Sequence, residues 1–248
     1  MSKHLVSIVT YETHKASVRK AIELVKGLDH LPKSARVFIK PNIVFWNKNV
    51  DFPKYGVITT SRVIEDVIML LKEKGITDIT IGEGMVTRKA NDTATATHAF
   101  ETLGYKQLGE KYGIKYLDIF QQPFEKVDMG EGAVLSFSRE IIHSDFVVNL
   151  PVMKTHNQTV ISLGIKNLKG TIDIASRKRC HSADDKKNLH WWVAKLADRM
   201  PPMLTLYDGI YTNERGPGFD GKMHRSNILM AAADIIAGDF VGAKVLGY

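Results

Sequence analysis

Hydrophobic and polar positions along the chain alternate between short apolar runs and longer stretches with helical spacing. The short runs predict strands at "LVSIVT", "ARVFIKPN", "ITDITIGEG", "IKYLDI", "SDFVVNLP" and "MLTLYDGI". Helices are predicted for "ASVRKAIELVKGL", "SRVIEDVIMLLKEKG", "AFETLG", "DDKKNLHWWVAKLADRM" and "IIAGDFVGAKVLGY". This alternation favours an α/β fold in which helices flank a mostly parallel sheet.

A small β meander is expected near residues 121–139, where "FEKVDM" and "AVLSFS" surround a turn. "RSNILMAAAD" predicts a strand, or a strand that enters a helix. Because the chain has no internal repeat and no low-complexity linker, we expect residues 1–248 to form a single α/β domain. The sequence stops within its last predicted helix at Tyr248, which leaves open a missing C-terminal piece.

Charge is distributed unevenly along the chain. The 34 Lys and Arg residues outnumber the 27 Asp and Glu residues, for a formal net charge of +7. Between Phe146 and His181, Asp173 is the only acid. The bases of that segment are Lys154, Lys166, Lys169, Arg177, Lys178 and Arg179. Such a surface attracts anions, but charge alone does not distinguish nucleic acid from a small phosphate or carboxylate.

Cys180 is the one cysteine, which excludes an internal disulfide and a four-cysteine iron–sulfur or zinc site built by this chain alone. The nine histidines form no H-x-H, H-x-x-H or H-E-x-x-H pair, so we assign no metal ligands. The N-terminal residues do not resemble a signal peptide, and no apolar run is long enough to span a bilayer. We therefore expect a cytoplasmic protein that does not enter the membrane.

Polar residues follow several of the predicted strands. Ligands of open α/β sheets bind at the carboxyl ends of the strands, so these residues are the first candidates for a site. They are Lys40 and Asn42 in "KPN", Glu83 in "GEG", the stretch "KTHNQT", and Asp208 in "YDG". Glu83 suits an acid, a base or a metal ligand, and equally a turn residue that faces water. Asp208 before a glycine also fits an ordinary turn.

The stretch "PVMKTHNQTVISLGIKNLKG" predicts a helix that begins near Asn157. Such a helix places Thr155, Thr159, Ser162, Lys166 and Lys169 along one line. Hydroxyls, lysines and the free N–H groups of the first turn would together bind a phosphate or carboxylate. The alternative is that Lys166 and Lys169 only solvate the outer face of the helix.

His156 is the candidate for proton transfer, since an imidazole beside a lysine is readily tuned. Lys154 would bind the anion or act as a base. The alternative for His156 is a capping or core residue. "GEGMVT" lacks the third glycine of a dinucleotide fingerprint, which Thr87 replaces. "SRKRCH" predicts a solvated basic loop, and "ERGPGFDGK" either a mobile lid or a surface loop.

The ordered motifs "FIKPNIV", "TIGEG", "FVVNLPVMKTHNQTVISLGIKNLKGTI", "LYDGI…GPG" and "DIIAGDFVGAKVLG" resemble the bacterial and archaeal family named domain of unknown function 362 (DUF362). The similarity runs from about Val37 to the C-terminus. It implies a shared α/β fold and a polar site around Lys40, Asn42, Glu83, Lys154, His156, Lys166, Asn167 and Lys169. Some relatives carry ferredoxin-type cysteines that this chain lacks, so we expect no iron–sulfur cluster bound by this chain alone.

Three functions remain open. The first is an enzyme of unassigned reaction class, in which Lys40, Lys166 and Lys169 hold a small anionic metabolite while His156 and Lys154 move a proton. The second is a nucleic-acid-binding module, suggested by Trp191 and Trp192 near "SRKRCH" but disfavoured because the charges suit a pocket better than a stripe. The third, suggested only by the relatives, is an accessory protein that docks an iron–sulfur redox partner. Cofactor and oligomeric state stay open.

Overall fold

The computed structural model describes residues 4–46, 48–49, 55–86, 92–181 and 187–248. Strands and helices alternate along the described chain, and the predicted α/β class is confirmed. The strands are β1 Val6–Thr10, β2 Val37–Pro41, β3 Ile79–Glu83, β4 Lys115–Asp118, β5 Phe124–Gly130, β6 Ala133–Ser138, β7 Phe146–Leu150, β8 Val152–His156, β9 Val160–Ser162, β10 Met203–Glu214 and β11 Lys222–Ala232.

The helices of the described chain are short to medium in length. They are α1 Ala16–Leu24, α2 Ser61–Glu73, α3 Thr93–Thr102, α4 Tyr105–Tyr112, α5 Arg139–Ile142, α6 Gly164–Asn167, α7 Ile174–Cys180, α8 Leu189–Lys195 and α9 Ile235–Val245. Short 3₁₀ turns follow β4, α6 and α8. Within the described ranges, no helix is long and apolar enough to cross a membrane.

The main sheet has the strand order β1-β11-β10-β7-β2-β3-β4. From β10 to β4 all neighbours are parallel, while β11 runs antiparallel to both β1 and β10. Beyond the end of β7, β8 continues beside β10 and folds back as the hairpin β8–β9. The expected β meander is the separate antiparallel hairpin β5–β6. The parallel strands therefore share one carboxyl edge.

Alternation along β2 separates two layers of apolar packing. Val37 and Ile39 belong to the main core, which α1 and α2 cover, whereas Phe38 belongs to a cluster on the opposite face. Each fully buried aliphatic or aromatic side chain contributes about 1.5–3 kcal/mol to stability. Packing of this kind on both faces leaves the carboxyl edge of the sheet as the place where polar side chains converge.

The predicted helix from Asn157 is wrong. Residues 152–162 form the hairpin β8–β9, in which His156 pairs with Val160 and Lys154 with Ser162. The segment is rich in β-branched side chains, which favour strands, and β8 gains a partner in β10. The helical segment α6 begins only at Gly164 and is a single turn. Lys166 therefore reaches the site from a different element than His156.

One further prediction is wrong, and two others fall wholly or partly outside the described residues. "SRKRCH" was predicted as a solvated loop, but most of it lies in α7, whose N-cap Asp173 accepts a hydrogen bond from Ser176 N at 2.7 Å. Its side chains Ser176 and Cys180 are buried. The first residues of the predicted helix "DDKKNLHWWVAKLADRM", and Thr87, lie outside the described residues.

Candidate functional site

A cavity of about 230 Å³ opens at the carboxyl ends of β2 and β3, between the hairpin β8–β9 and the segments α6 and α7. Of the predicted site residues, Asn42, Glu83, His156, Ser162, Lys166, Asn167 and Lys169 line it. The sequence analysis missed Arg177, His181, Gly170 and Pro217, which line it as well. Most of the proposed polar set is therefore brought together in one place.

A larger groove of about 620 Å³ lies at the amino end of the parallel strands. Its bases are paired: Arg36 lies 3.3 Å from Asp145, and Lys115 lies 3.1 Å from Asp78. A groove whose charges already have partners attracts an ion weakly. We therefore place the candidate site at the smaller cavity, where several bases have no carboxylate partner among the described residues.

A buried ion pair forms the floor of the site. Lys40 Nζ lies 2.7 Å from Glu83 Oε2, and both side chains are almost inaccessible to solvent. Glu83 also accepts hydrogen bonds from Ile43 N at 3.0 Å and Gly84 N at 2.9 Å. Burial lowers the pKa of Lys40, and the charge of Glu83 opposes that shift. Lys40 and Glu83 therefore neutralise each other.

Three asparagines connect this floor to the sheet. Asn167 donates to Asn149 Oδ1 at 2.8 Å and to Lys40 O at 3.3 Å. Its own Oδ1 accepts a hydrogen bond from Asn42 Nδ2 at 2.9 Å. Among the described residues, Asn42 Oδ1 has no donor, although it is buried. The network orients the first turn after β9 and fixes α6 against β2 and β7.

His156 has a fixed hydrogen-bonding role. Its Nδ1 accepts from Gln158 N at 3.0 Å and Thr159 N at 3.3 Å, so the proton of the neutral ring lies on Nε2. Nε2 is 3.3 Å from Lys166 Nζ. Burial, followed by the charge of Lys166, lowers the pKa of His156 to about 4. At neutral pH the imidazole is therefore an uncharged donor that faces the amine of Lys166.

Four further basic side chains share the cavity with His156: Lys166, Lys169, Arg177 and His181. Burial, with the charge of Arg177, lowers the pKa of Lys166 to about 8. Burial, with the charge of Lys166, lowers the pKa of Lys169 to about 8 as well. Lys169 Nζ contacts His181 Nε2, and burial lowers the pKa of His181. Three cations thus line a small volume near neutral pH, since Arg177 stays charged.

Arg177 is held in place by backbone carbonyl groups. Its Nη2 donates to Gly84 O at 2.6 Å and its Nε donates to Ile172 O at 3.1 Å. The guanidinium carbon lies 4.8 Å from the centre of the Phe120 ring. Burial lowers the pKa of Arg177 to about 10. The helical spacing of Arg177 and buried Cys180 is the sequence signal that would have placed Arg177 on the inner face of α7.

Glycines at two strand and helix ends permit this close packing. A Cβ at Gly84 would lie 2.8 Å from Arg177 Nη2 and 3.0 Å from Gly170 O. A Cβ at Gly170 would lie 2.6 Å from Lys40 Nζ. The motifs "GEG" and "NLKG" therefore bring backbone and charged side chains into contact without an intervening side chain.

Besides Lys40, which is buried beneath the cavity beside Glu83, three predicted site residues do not line the cavity. Lys154 Nζ donates to Val57 O at 2.7 Å, and burial lowers the pKa of this amine to about 7. Asp208 accepts from Thr60 N at 2.7 Å, and burial raises the pKa of its carboxyl group. Thr159 Oγ1 donates to Ile161 O at 2.9 Å. In this structure the three side chains connect neighbouring segments of the chain.

The loop between β10 and β11 closes one side of the cavity through Pro217. Asn213, at the end of β10, is buried and its Nδ2 donates to Gly218 O at 2.9 Å. The loop is therefore attached to the sheet near the position where Pro217 meets the cavity. Within the described parts of the chain, no group of three or more His, Cys, Asp or Glu side chains could hold a metal ion.

Comparisons with known proteins match nearly the whole chain. It is 27% identical over 234 residues to the thylakoid-associated protein sll1697 of Synechocystis sp., covering 93% of this chain and 69% of that protein. The structure of the lactate racemase apoprotein from Thermoanaerobacterium thermosaccharolyticum superposes with a TM-score of 0.61 at 13% identity. That match covers 94% of this chain but 56% of the racemase chain, and at this identity the likeness is one of fold.

The motifs that build the cavity lie within one family match. The model described as Domain of unknown function (DUF362) matches residues 37–244, which include Asn42, Glu83, His156 and Pro217. The match covers well over half of the chain, in agreement with the motifs that suggested it. The protein therefore belongs to the DUF362 family.

Proposed function

We propose that this protein binds a small carboxylate or phosphate metabolite in the cavity lined by His156 and Lys166. The observation that carries the proposal is the meeting of two donors: His156 Nε2–H and the ammonium group of Lys166 face each other across 3.3 Å. Neither can accept a hydrogen bond while Lys166 is charged. An oxygen atom of an anion beside them can accept a hydrogen bond from each.

The size of the cavity supports a small ligand. A water molecule in the liquid occupies about 30 Å³, so 230 Å³ equals the volume of about eight water molecules, which is the scale of a small metabolite. A nucleic-acid strand needs a long groove with exposed aromatic side chains on which its bases stack. Trp192 is instead buried in an apolar cluster, in edge contact with Trp191. These features favour a metabolite over a nucleic acid.

The same geometry suits proton transfer to or from the bound anion. His156 donates at Nε2 and polarises a ligand oxygen, while the lowered pKa of Lys166 leaves a fraction of neutral amine that can accept a proton. Lys166, rather than Lys154, is the lysine that lies next to His156. The likeness in fold to lactate racemase makes lactate, a small hydroxycarboxylate, the first ligand to test.

Thermal unfolding in the presence of lactate, inorganic phosphate and other small carboxylates tests the proposal. A ligand at a hundredfold excess over its Kd stabilises the folded protein by about 2.7 kcal/mol. We expect at least one anion to raise the Tm of the parent protein. His156→Ala and Lys166→Ala should each remove that rise.

Lys106→Ala is the matched control, because it removes one exposed positive charge from α4, away from the cavity. It should keep the ligand-induced rise in Tm. If no anion stabilises the parent protein, or if the His156 and Lys166 variants respond like Lys106→Ala, the proposal is wrong.

A further inference from the structure

Among the residues that the structure describes, the charges that line the cavity do not balance. Lys166, Lys169 and Arg177 are its cations, and none of them lies within ion-pair distance of a carboxylate among the residues that the structure describes. Glu83 is the acid in the lining, but it is already paired with Lys40. The excess positive charge is therefore larger than one monoanion neutralises.

Buried like charges are costly unless they are paired. The cost is visible here as pKa values lowered to about 8 for both Lys166 and Lys169. A ligand with one negative charge would leave two cations facing each other in a small volume. A ligand with two negative charges would bring the cavity close to neutrality.

Arg177 has hydrogen-bonding capacity left for such a ligand. Two of its five N–H groups donate to Gly84 O and Ile172 O, which hold the guanidinium plane in position. Three N–H groups, two on Nη1 and one on Nη2, have no hydrogen-bond acceptor among the described residues. A fixed guanidinium with free N–H groups binds carboxylate or phosphate with two parallel hydrogen bonds.

We infer that the ligand of this cavity is a small dianion, a dicarboxylate or a phosphate monoester, and that Arg177 and Lys169 select it over monocarboxylates. The inference rests on the proposed function, because it concerns the same cavity. It adds the charge of the ligand and two residues that recognise the second negative charge. Lys169 lines the cavity, and its amine lies beside the Nε2 atom of His181.

Titration calorimetry with three ligands tests the inference. Lactate has one carboxylate, malate is a hydroxy acid of the same type with a second carboxylate, and glycerol 3-phosphate is a phosphate monoester. We expect malate or glycerol 3-phosphate to bind about tenfold or more tightly than lactate, which is the scale of one added charge-assisted hydrogen bond. Whichever binds more tightly identifies the class of dianion.

Single substitutions show which residues produce the preference for a dianion over lactate. Arg177→Gln and Lys169→Gln should each reduce the preference for the dianion over lactate by about tenfold. Lys178→Gln is the matched control: it removes the same charge from an exposed position next to Arg177 on α7 and should keep the preference. If Arg177→Gln does not fold, Lys169→Gln, whose side chain is only half-buried, decides the matter.

The outcomes separate the two proposals. Lactate binding as tightly as both dianions overturns the inference and leaves the proposed function standing. Binding of none of the three, together with no response in the thermal panel, overturns both. Selectivity that survives in Lys169→Gln and in a folded Arg177→Gln also overturns the inference.

Discussion

Lys40 and Lys166 are both lysines near the carboxyl edge of the sheet, yet they have different roles because their nearest neighbours differ. Lys40 Nζ lies 2.7 Å from a carboxylate, whereas Lys166 Nζ lies 3.3 Å from an imidazole nitrogen that carries a proton. An amine beside a carboxylate stabilises the fold, and an amine beside another donor is ready for a ligand. The sequence proposed both residues for one site but did not distinguish these neighbours, and it placed Lys166 on a helix from Asn157 that does not form.

Replacing Lys40 tests whether the buried ion pair between Lys40 and Glu83 stabilises the fold. Lys40→Met leaves Glu83 charged and buried, so we expect the free energy of unfolding to fall by about 3–5 kcal/mol. The double variant Lys40→Met/Glu83→Leu removes both charges and should recover the part of that loss that comes from the unpaired carboxylate, although Ile43 N and Gly84 N then lose their acceptor. Urea unfolding at pH 7 measures both values.

An exposed pair supplies the control for this cycle. Lys115 lies 3.1 Å from Asp78, but both side chains are largely accessible to solvent. Lys115→Met should therefore change the free energy of unfolding by about 1 kcal/mol or less. A loss in Lys40→Met no larger than the loss in Lys115→Met would show that the buried pair does not stabilise the fold.

At the scale of elements, the site depends on a segment too short to be stable alone. The single turn α6 carries Lys166 and Asn167, and isolated helices of this length do not form in water. Asp239, on α9, accepts from Gly164 N at 2.7 Å and Ile165 N at 2.9 Å. A helix from the end of the chain therefore holds the start of α6.

Asp239→Ala tests this support. The variant leaves the backbone N–H groups of Gly164 and Ile165 without their acceptor, and the hydroxyl of Tyr207 keeps only the longer hydrogen bond to Ile235 O at 3.3 Å. We expect a loss of about 2–3 kcal/mol in the free energy of unfolding and weaker binding of any ligand at Lys166. Lys244→Ala, an exposed change on the same helix, should alter neither quantity in chemical denaturation or calorimetry.

The sequence predicted the main strands and the regions that became α1, α2, α3, α8 and α9, because their apolar periodicity is long or regular. It failed at the hairpin β8–β9. There, Val160 adopts a positive φ of 64°, and pairing with β10 stabilises strands that local spacing does not reveal. It failed again at α7, where a run of bases hides one inward-facing arginine. In both places, tertiary contacts outweighed local pattern.

The whole molecule determines the cavity, since its lining comes from segments between Asn42 and Pro217 that lie far apart in the sequence. The loops at the ends of β2 and β3, the hairpin β8–β9, and α6 and α7 each contribute polar groups. The formal net charge of +7 favours the approach of anions to the molecule as a whole. Strand-end reasoning could find most of the lining, but only the folded chain shows which bases remain unpaired.

The affinity for the anion should fall as the pH rises. The pKa values of Lys166 and Lys169 are lowered to about 8, so their charged forms prevail below pH 8 and are lost above it. A bound dianion favours the charged forms and raises these pKa values, so protons are taken up on binding. We expect the affinity for malate to fall about tenfold or more between pH 7 and pH 9.5.

Titration calorimetry across this range, in buffers of different ionisation enthalpy, measures both the affinity and the proton uptake. His156 does not contribute, because its pKa of about 4 keeps it neutral throughout. Lys166→Gln should weaken malate binding at pH 7 and flatten the dependence on pH. An affinity that is constant or rises up to pH 9.5 would contradict the charge assignments.

The two carbonyl groups that hold Arg177 also have a kinetic consequence. Because backbone carbonyl groups of Gly84 and Ile172 anchor the guanidinium group, an incoming ligand needs no slow rearrangement to meet it. Association rates for related anions should then be similar and sensitive to ionic strength, as for encounters guided by charge. Differences in affinity among ligands would appear in how long each one stays bound.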